Sequence, residues 1–267
     1  MSQAHPPRST TPVIAIDGPA GAGKSTVARR LAQRLGVPYL DTGAMYRAVG
    51  LMAWRDGLRP PFDDAAQARV VDLATQHRIE LEPHGESPRV LVDGEDVSGQ
   101  IRTPECALMA SAVSAVTGVR RALVPLQRSI GLKEGCVMEG RDIGTVVFPD
   151  ATLKVYLTAS TDERARRRLE DLRGNGIETT LDEVRSQQQQ RDRQDESRQD
   201  SPLQVAPGAV VVDTTRMSLD SVIDRLSGEL EKRTGGLLDT NGENTIRSRN
   251  HGGLGRGRSA PIEEDSS

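Results

Sequence analysis

The first apolar run, Val13-Ile14-Ala15-Ile16, stops at Asp17 and gives way to a glycine-rich turn, after which Val27, Ala28, Leu31, Ala32 and Leu35 recur at helical spacing. A short unbroken apolar run predicts a strand buried on both faces, and the recurrence that follows predicts an amphipathic helix. The alternation continues down the chain. Gly36 stops the helix, and Val37-Pro38-Tyr39-Leu40-Asp41 reads as a second short strand that delivers Asp41 and Thr42 to a turn. Ala44 to Arg55 reads as a helix with Tyr46 and Arg47 on its early face, and Asp63 to Thr75 as a helix burying Val70, Val71, Leu73 and Ala74. The period then changes. His77 to Leu81 and Arg89 to Val92, the latter followed by Asp93-Gly94, predict small antiparallel strands inserted between helices.

Thr103-Pro104-Glu105 restarts a helix with a capping hydroxyl and a proline at the first helical position, and Ala107–Val116 and Val119–Leu132 form a helical pair around Gly118. Val137–Glu139, Leu153–Leu157 and Ala209–Asp213 read as further strands. Five short strands alternating with helices imply a parallel sheet covered on both faces. Ligands gather at the carboxyl ends of such strands, where Asp17, Asp41, Glu139 and Asp213 stand. Ser160-Thr161-Asp162-Glu163 has capping-box spacing and opens a helix carrying Arg164, Arg166, Arg167 and Arg168. Gly174-Asn175-Gly176 breaks it, and a second helix from Leu181 to Gln199 completes a hairpin. From Ser160 to Asp200 there are nine arginines, eleven acids and no lysine, which favours the planar guanidinium fork that suits phosphate. Met217 to Arg233 closes the folded part as an amphipathic helix with Leu219, Val222, Ile223, Leu226 and Leu230 inward. Residues 1–11 and 234–267 have too little apolar content to pack and are expected to be disordered, the tail as a tolerated extension.

The turn after Asp17 carries the chemistry. From Gly18 to Ser25 it reads G-x-x-x-x-G-K-S between strand and helix, the pattern in which backbone amides wrap phosphates, a lysine bridges the terminal ones and a hydroxyl helps hold magnesium. Glycine is needed because backbone amides can turn inward at positive φ only where no Cβ obstructs them. The helix starting near Lys24 adds its positive dipole end.

Composition narrows the rest. A net charge of -3 gives no reason to expect a polyanion or a membrane partner, and 2% aromatic residues leave few platforms for stacking bases. Cys106 and Cys136 have no metal or redox spacing and are expected to be buried and reduced. No apolar run approaches the ~20 residues that cross a bilayer, and the first dozen residues lack the apolar core of a secretion signal, so a cytoplasmic protein is expected.

Four blocks extend the turn: Gly18-Pro19-Ala20-Gly21-Ala22-Gly23-Lys24-Ser25-Thr26; Leu40-Asp41-Thr42-Gly43-Ala44-Met45-Tyr46-Arg47; Gly94-Glu95-Asp96-Val97-Ser98 with Ile101-Arg102-Thr103; and Gly140 through Asp150. In order and spacing they closely resemble the bacterial cytidylate kinases, over about residues 13 to 233. The resemblance implies transfer of the γ-phosphoryl of ATP to CMP or dCMP with Mg2+ on the donor phosphates. It also implies a three-layer P-loop α/β fold over 12–233, in which a five-stranded parallel sheet carries an inserted monophosphate-binding part near 63–108 and a helical lid near 160–200. Gly18 through Thr26 would bind ATP, with Lys24 on the β and γ phosphates and Ser25 as the magnesium hydroxyl. Thr42, Tyr46, Arg47, Arg102, Ser111, Arg120, Glu139, Arg141, Asp142, Arg191, Asp195 and Arg198 would form the CMP site. Lys24, Arg141, Arg167, Arg168 and Arg191 would carry the reaction, Arg164, Arg167 and Arg168 approaching the donor phosphates on lid closure. Asp195 and Arg198 follow Arg191 by four and seven residues, so the three share a helix face.

No general base is needed, because the acceptor phosphate has a second pKa of ~6 and is largely deprotonated near neutral pH. Glu139 stands where the family often has Asp, which moves the carboxylate seen by Arg141 or CMP by one methylene. Gly144, Pro149 and Asp150 read as turn residues joining two strands, and His5, His77, His84 and His251 as surface groups. A monomer is expected, with no nucleic-acid partner for the core and no membrane partner. A GTP-hydrolysing switch is excluded, because none of Lys24, Lys133, Lys154 and Lys232 sits in the guanine-reading pattern. A kinase of UMP, AMP or a shikimate-like acceptor, and a nucleotide-binding scaffold without turnover, are the alternatives.

Overall fold

The computed structural model describes residues 11–82, 88–174 and 176–235. The expectations for the leader before Thr11, for the tail after Gly235 and for His5, His84 and His251 lie outside the described residues.

Strand β1 (Val13–Asp17) is the centre of a five-stranded parallel sheet with β2 (Tyr39–Asp41), β6 (Cys136–Gly140), β7 (Leu153–Thr158) and β8 (Val210–Asp213). Across the sheet the order is β2-β6-β1-β7-β8. Side chains alternate between its faces, and the two cores follow that alternation. Ala15, Leu40 and Met138 point into one, with α2 (Thr42–Arg55), α3 (Asp64–Gln76), α4 (Pro104–Ser114) and α5 (Thr117–Glu134). Ile14, Ile16, Val137 and Leu157 point into the other, with α1 (Lys24–Leu35) and α8 (Leu219–Thr234). The parallel register places Asp17 beside Gly140, and Asp41 beside Glu139, at one end of the sheet. That end holds the candidate site.

The insert between α2 and α4 is a three-stranded antiparallel sheet of β3 (Ile79–Glu82), β4 (Arg89–Val92) and β5 (Glu95–Asp96). Only two of these strands were expected; two residues are too few for periodicity to signal. Ile79, Leu81, Val90 and Val92 join the same buried cluster as α2 and α4, so the insert shares the main core. Thr103 caps α4 by accepting from the Cys106 amide at 3.2 Å, as its sequence predicts.

Helix α6 (Thr161–Gly174) and helix α7 (Leu181–Glu196) form the hairpin, closed by Ala165, Leu169 and Val184. The reciprocal capping box lies at Thr180 and Glu183, not at Ser160, where only the Glu163 amide to Ser160 hydroxyl half is made at 3.3 Å. Glu163 turns its carboxylate to Arg166 and Arg167 instead. Three further expectations are corrected. Helix α2 starts at Thr42 instead of Ala44, because Asp41 caps it by accepting from the Ala44 amide at 3.3 Å. Gly144 belongs to a π-helical turn, Ile143–Val147, instead of a plain strand connection. Leu219 opens α8 and is 36% exposed, since helical spacing reports a face but not how far the neighbour extends along it.

Cys106 and Cys136 are free and buried, and burial pushes the Cys136 thiol up to about 12. His77 lies at the surface against Asp93. No single helix among the described residues is long and apolar enough to cross a membrane.

Candidate active site

The phosphate loop is held by contacts that exclude side chains. At Gly18, with φ of +150°, a Cβ would stand 2.0 Å from the Leu157 carbonyl oxygen, and at Gly21, with φ of +76°, it would meet the Gln188 amide nitrogen at 2.8 Å. Both sites therefore need glycine. Lys24 begins α1, and its buried ammonium donates back across the loop to the Pro19 carbonyl at 2.9 Å. Burial pushes its pKa down, Arg141 and Arg191 push the same way, and Glu139 and Asp195 oppose them. Ser25 and Thr26 are exposed in the first turn of the helix.

Behind the loop, Asp17 is 2% exposed and accepts the Ile143 amide at 2.8 Å and the Gly144 amide at 2.7 Å. Those two bonds draw the chain after Asp142 into its π-helical turn. Burial, opposed by the same amides, raises the Asp17 pKa from 3.8 to about 6. A folded-state value above the unfolded one means that the protonated form favours the fold. The contribution is full below pH 3.8 and is lost as the pH rises through about 6. Asp17→Asn carries no such titration, while its cost in amide bonding is the same at every pH. Relative to the parent, its unfolding free energy should rise by about 2–3 kcal/mol between about pH 4 and about pH 7. Denaturant titrations at both pH values measure this, and an unchanged difference would refute it.

On the other side of the loop, the Tyr39 hydroxyl donates to the Glu139 carboxylate at 2.5 Å, and the Ser25 hydroxyl lies beside the same carboxylate. Of the two partners expected for Glu139, Arg141 or CMP, Arg141 bonds Asp195 instead, and the Glu139 carboxylate faces Tyr39 and the phosphate loop. Burial and Asp41 raise the Glu139 pKa against the pull of Lys24. Thr42 donates to the Glu139 backbone carbonyl at 2.8 Å, and Arg47 bonds Asp41 at 2.6 Å. Burial alone would lower the Arg47 pKa, but Asp41 outweighs it and the guanidinium stays charged.

Asp195 is the hub of the basin. It is 1% exposed, accepts from Arg141 Nε at 2.8 Å and pairs with Arg198, whose Nη2 also donates to the Ser114 hydroxyl at 2.8 Å. Burial would raise its pKa, and Arg141, Arg198 and Arg191 outweigh that and hold it below the ordinary range. Arg120 pairs with Asp142 and stacks 5.5 Å from the Tyr46 ring centre. Arg191 is pushed down to about 10 by burial and then by Arg141, with Asp195 opposing and Arg198 and Arg47 adding. The Nε groups of Arg47, Arg120, Arg191 and Arg198 are buried and make no hydrogen bond within the described residues. A buried guanidinium donor without a protein partner is costly, and four of them stand in this basin.

The hairpin arginines divide. Arg164 is buried and ties α6 to the loop, donating to the Ala20 carbonyl at 3.1 Å and bonding Asp192 at 2.6 Å. Arg167 bonds Glu163 at 2.8 Å and Thr214 at 2.9 and 3.0 Å, with Nη1 3.7 Å from where a Cβ on Gly23 would stand. Arg168 is exposed. Of the remaining candidates, Ser111 donates to Gln194 at 3.3 Å, which joins α4 to α7, and Arg102 is exposed at the end of the turn Gln100–Arg102. Sequence reasoning overlooked Tyr39, Ser114, Gln188 and Thr214. Each is a common residue in an ordinary helix or strand setting, and its signal is a partner distant in the chain.

The profile of the family described as cytidylate kinase matches residues 14–232. The chain belongs to this family. It is 47% identical over 221 residues to the cytidylate kinase of Citrifermentans bemidjiense, covering 83% of this chain and 93% of that one. Against the cytidylate kinase of Caldanaerobacter subterraneus subsp. tengcongensis the identity is 47% over 225 residues, with 84% and 97% covered. It is also 50% identical over 234 residues to a bifunctional pantoate ligase/cytidylate kinase of Synechococcus sp. strain JA-3-3Ab, covering 86% of this chain. This chain spans 43% of the length of that bifunctional relative.

Proposed function

We propose that this chain transfers the γ-phosphoryl of ATP to CMP or dCMP, giving ADP and CDP or dCDP. One observation carries the reading within the family: beside the phosphate loop with Lys24 lies a half-buried basin of Arg47, Arg141, Arg191 and Arg198, in which the Nε groups of Arg47, Arg191 and Arg198 make no hydrogen bond among the described residues. Two nucleotide anions repel each other. Lys24 and the loop amides neutralise the donor phosphates, and Arg47, Arg141 and Arg191 the acceptor phosphate, so alignment and electrostatics supply most of the catalysis. Asp195 and Arg198, with Ser111 and Arg120 on α4 and α5, border the space for the base. Asp142 holds Arg120 in place. Arg102 is a phosphate contact only if the insert closes on it.

Magnesium fits as a passenger of ATP. Among the described residues no group of three or more His, Cys, Asp or Glu side chains could hold a metal by itself, and Ser25, whose hydroxyl lies beside Glu139, would be the protein's ligand to an ion that arrives with ATP. The ion supplies charge neutralisation on the donor phosphates. The hairpin excludes water so that ATP is not hydrolysed.

Of the hairpin arginines we take Arg167, whose Nη1 lies 3.7 Å from where a Cβ on Gly23 would stand, as the contact to the donor phosphates. Arg167→Ala is expected to lower kcat by about 10²-fold with the KM for CMP nearly unchanged, while Arg168→Ala stays within about threefold of the parent. Coupled assays of ADP formation with CMP, dCMP, UMP, AMP and shikimate, with magnesium, test the whole reading. Preference for CMP and dCMP supports it; turnover only with another acceptor, or ATP binding without turnover, overturns it.

A further inference from the structure

We propose that Thr214 is a positioning residue for phosphoryl transfer, its hydroxyl setting where the Arg167 guanidinium stands relative to the phosphate loop. The proposal rests on the reading of Arg167 as a donor-phosphate contact.

Thr214 follows β8 and is 4% exposed. Its backbone is locked to the sheet, the amide donating to the Thr158 carbonyl at 2.8 Å. Its hydroxyl meets three groups: the carbonyls of Ala22 at 3.2 Å and Thr158 at 3.1 Å, and Arg167 Nη1 at 3.0 Å. A hydroxyl has one proton and two lone pairs. It donates to a carbonyl and accepts from the guanidinium, so one small group touches the loop, the sheet and the hairpin together. The Thr214 carbonyl takes Arg167 Nη2 at 2.9 Å, and Glu163 takes Nε at 2.8 Å. Three nitrogens are thereby fixed, and one hydrogen on each of Nη1 and Nη2 is left for a ligand beside Gly23.

Valine has nearly the shape of threonine and neither capacity. In Thr214→Val, the Ala22 carbonyl and Arg167 Nη1 both lose a partner, while the backbone carbonyl and Glu163 keep the guanidinium nearby. Displacement, not loss, of a charged group is then expected. With ATP and CMP saturating, Thr214→Val should lower kcat about tenfold with the KM for CMP within about twofold, and Thr214→Ser should restore kcat. The deciding measurement is a double-mutant cycle in the full chain. If Thr214 acts through Arg167, adding Thr214→Val to Arg167→Ala changes kcat no further.

An equal tenfold loss in both backgrounds would mean a general structural role and overturn the proposal, as would Thr214→Val retaining parental kcat. Parental kcat in Arg167→Ala would instead remove the reading of Arg167, and the proposal with it. Should Thr214→Val not fold, Thr214→Ala removes the same hydroxyl without added bulk and is read by the same cycle.

Discussion

Lys24→Met is expected to lower kcat by about 10³-fold while leaving the dissociation constant for CMP within about twofold. The ammonium is 6% exposed and already held over the loop by the Pro19 carbonyl at 2.9 Å, so its charge acts in a water-poor site without reorganising when the donor arrives. Losing one oxyanion donor commonly costs about 10²–10³ in rate, and this donor carries a full charge beside phosphates that repel each other. Stability moves the other way or not at all. Burial and the neighbouring Arg141 and Arg191 disfavour the charged lysine in the free protein, and methionine fills a similar volume without that penalty. Steady-state kinetics, calorimetric CMP titration and a thermal melt distinguish these effects. A fall in kcat below tenfold would exclude the assigned role, and a collapse in melting temperature would mean that the lysine supports the fold.

The second large effect combines stability with affinity. Asp195 is a nearly inaccessible carboxylate shared by Arg141 and Arg198, with Arg191 close enough to act on its charge. Asp195→Ala leaves three guanidinium groups facing one another without the anion that joins them. Breaking a buried ion pair by removing one partner costs about 3–5 kcal/mol, which corresponds to a melting-temperature fall of roughly 10 °C for a domain of this size. The same change frees Arg141 and Arg198 from their orientation in the acceptor basin, so the KM for CMP should rise about 10²-fold. Asp195→Asn keeps the shape and one acceptor oxygen, and should recover part of the stability. At one CMP concentration the gain in melting temperature is set by affinity, so it should be smaller for Asp195→Ala than for the parent. An alanine variant that melts within about 2 °C of the parent would show that the guanidinium groups do not depend on Asp195.

How much of this was legible along the chain follows from the range of each interaction. The phosphate loop was legible because a strand, two obligatory glycines and a helix start lie within thirteen residues of sequence, from Val13 to Ser25, and their steric demands are local. The cap at Thr103 and the alternation of Ile14 and Ile16 against Ala15 are equally local, whereas the cap at Thr180 was not read and the box expected at Ser160 is only half made. The site residues that the family resemblance points to, such as Arg47, Arg141 and Asp195, were named from the chain, and the four blocks that carry the resemblance stand in order along it. Their partners were not. Tyr39 meets Glu139 across 100 positions, Arg141 meets Asp195 across 54, and Arg167 meets Thr214 across 47.

Local sterics and hydrophobic period therefore decided most of the helices and strands and the phosphate loop, since each depends on neighbours a few residues away, and the alternation of strands with helices implied a parallel sheet. Tertiary structure alone decided that Glu139 turns to Tyr39, that Asp17 winds Ile143–Val147 into a π-helical turn, and that Arg164 and Arg167 reach the loop while Arg168 is exposed. A side chain's type says what it can bond. The sheet register and the packing of α6 and α7 determine which buried group comes within reach, and burial then makes that bond too costly to leave unmade.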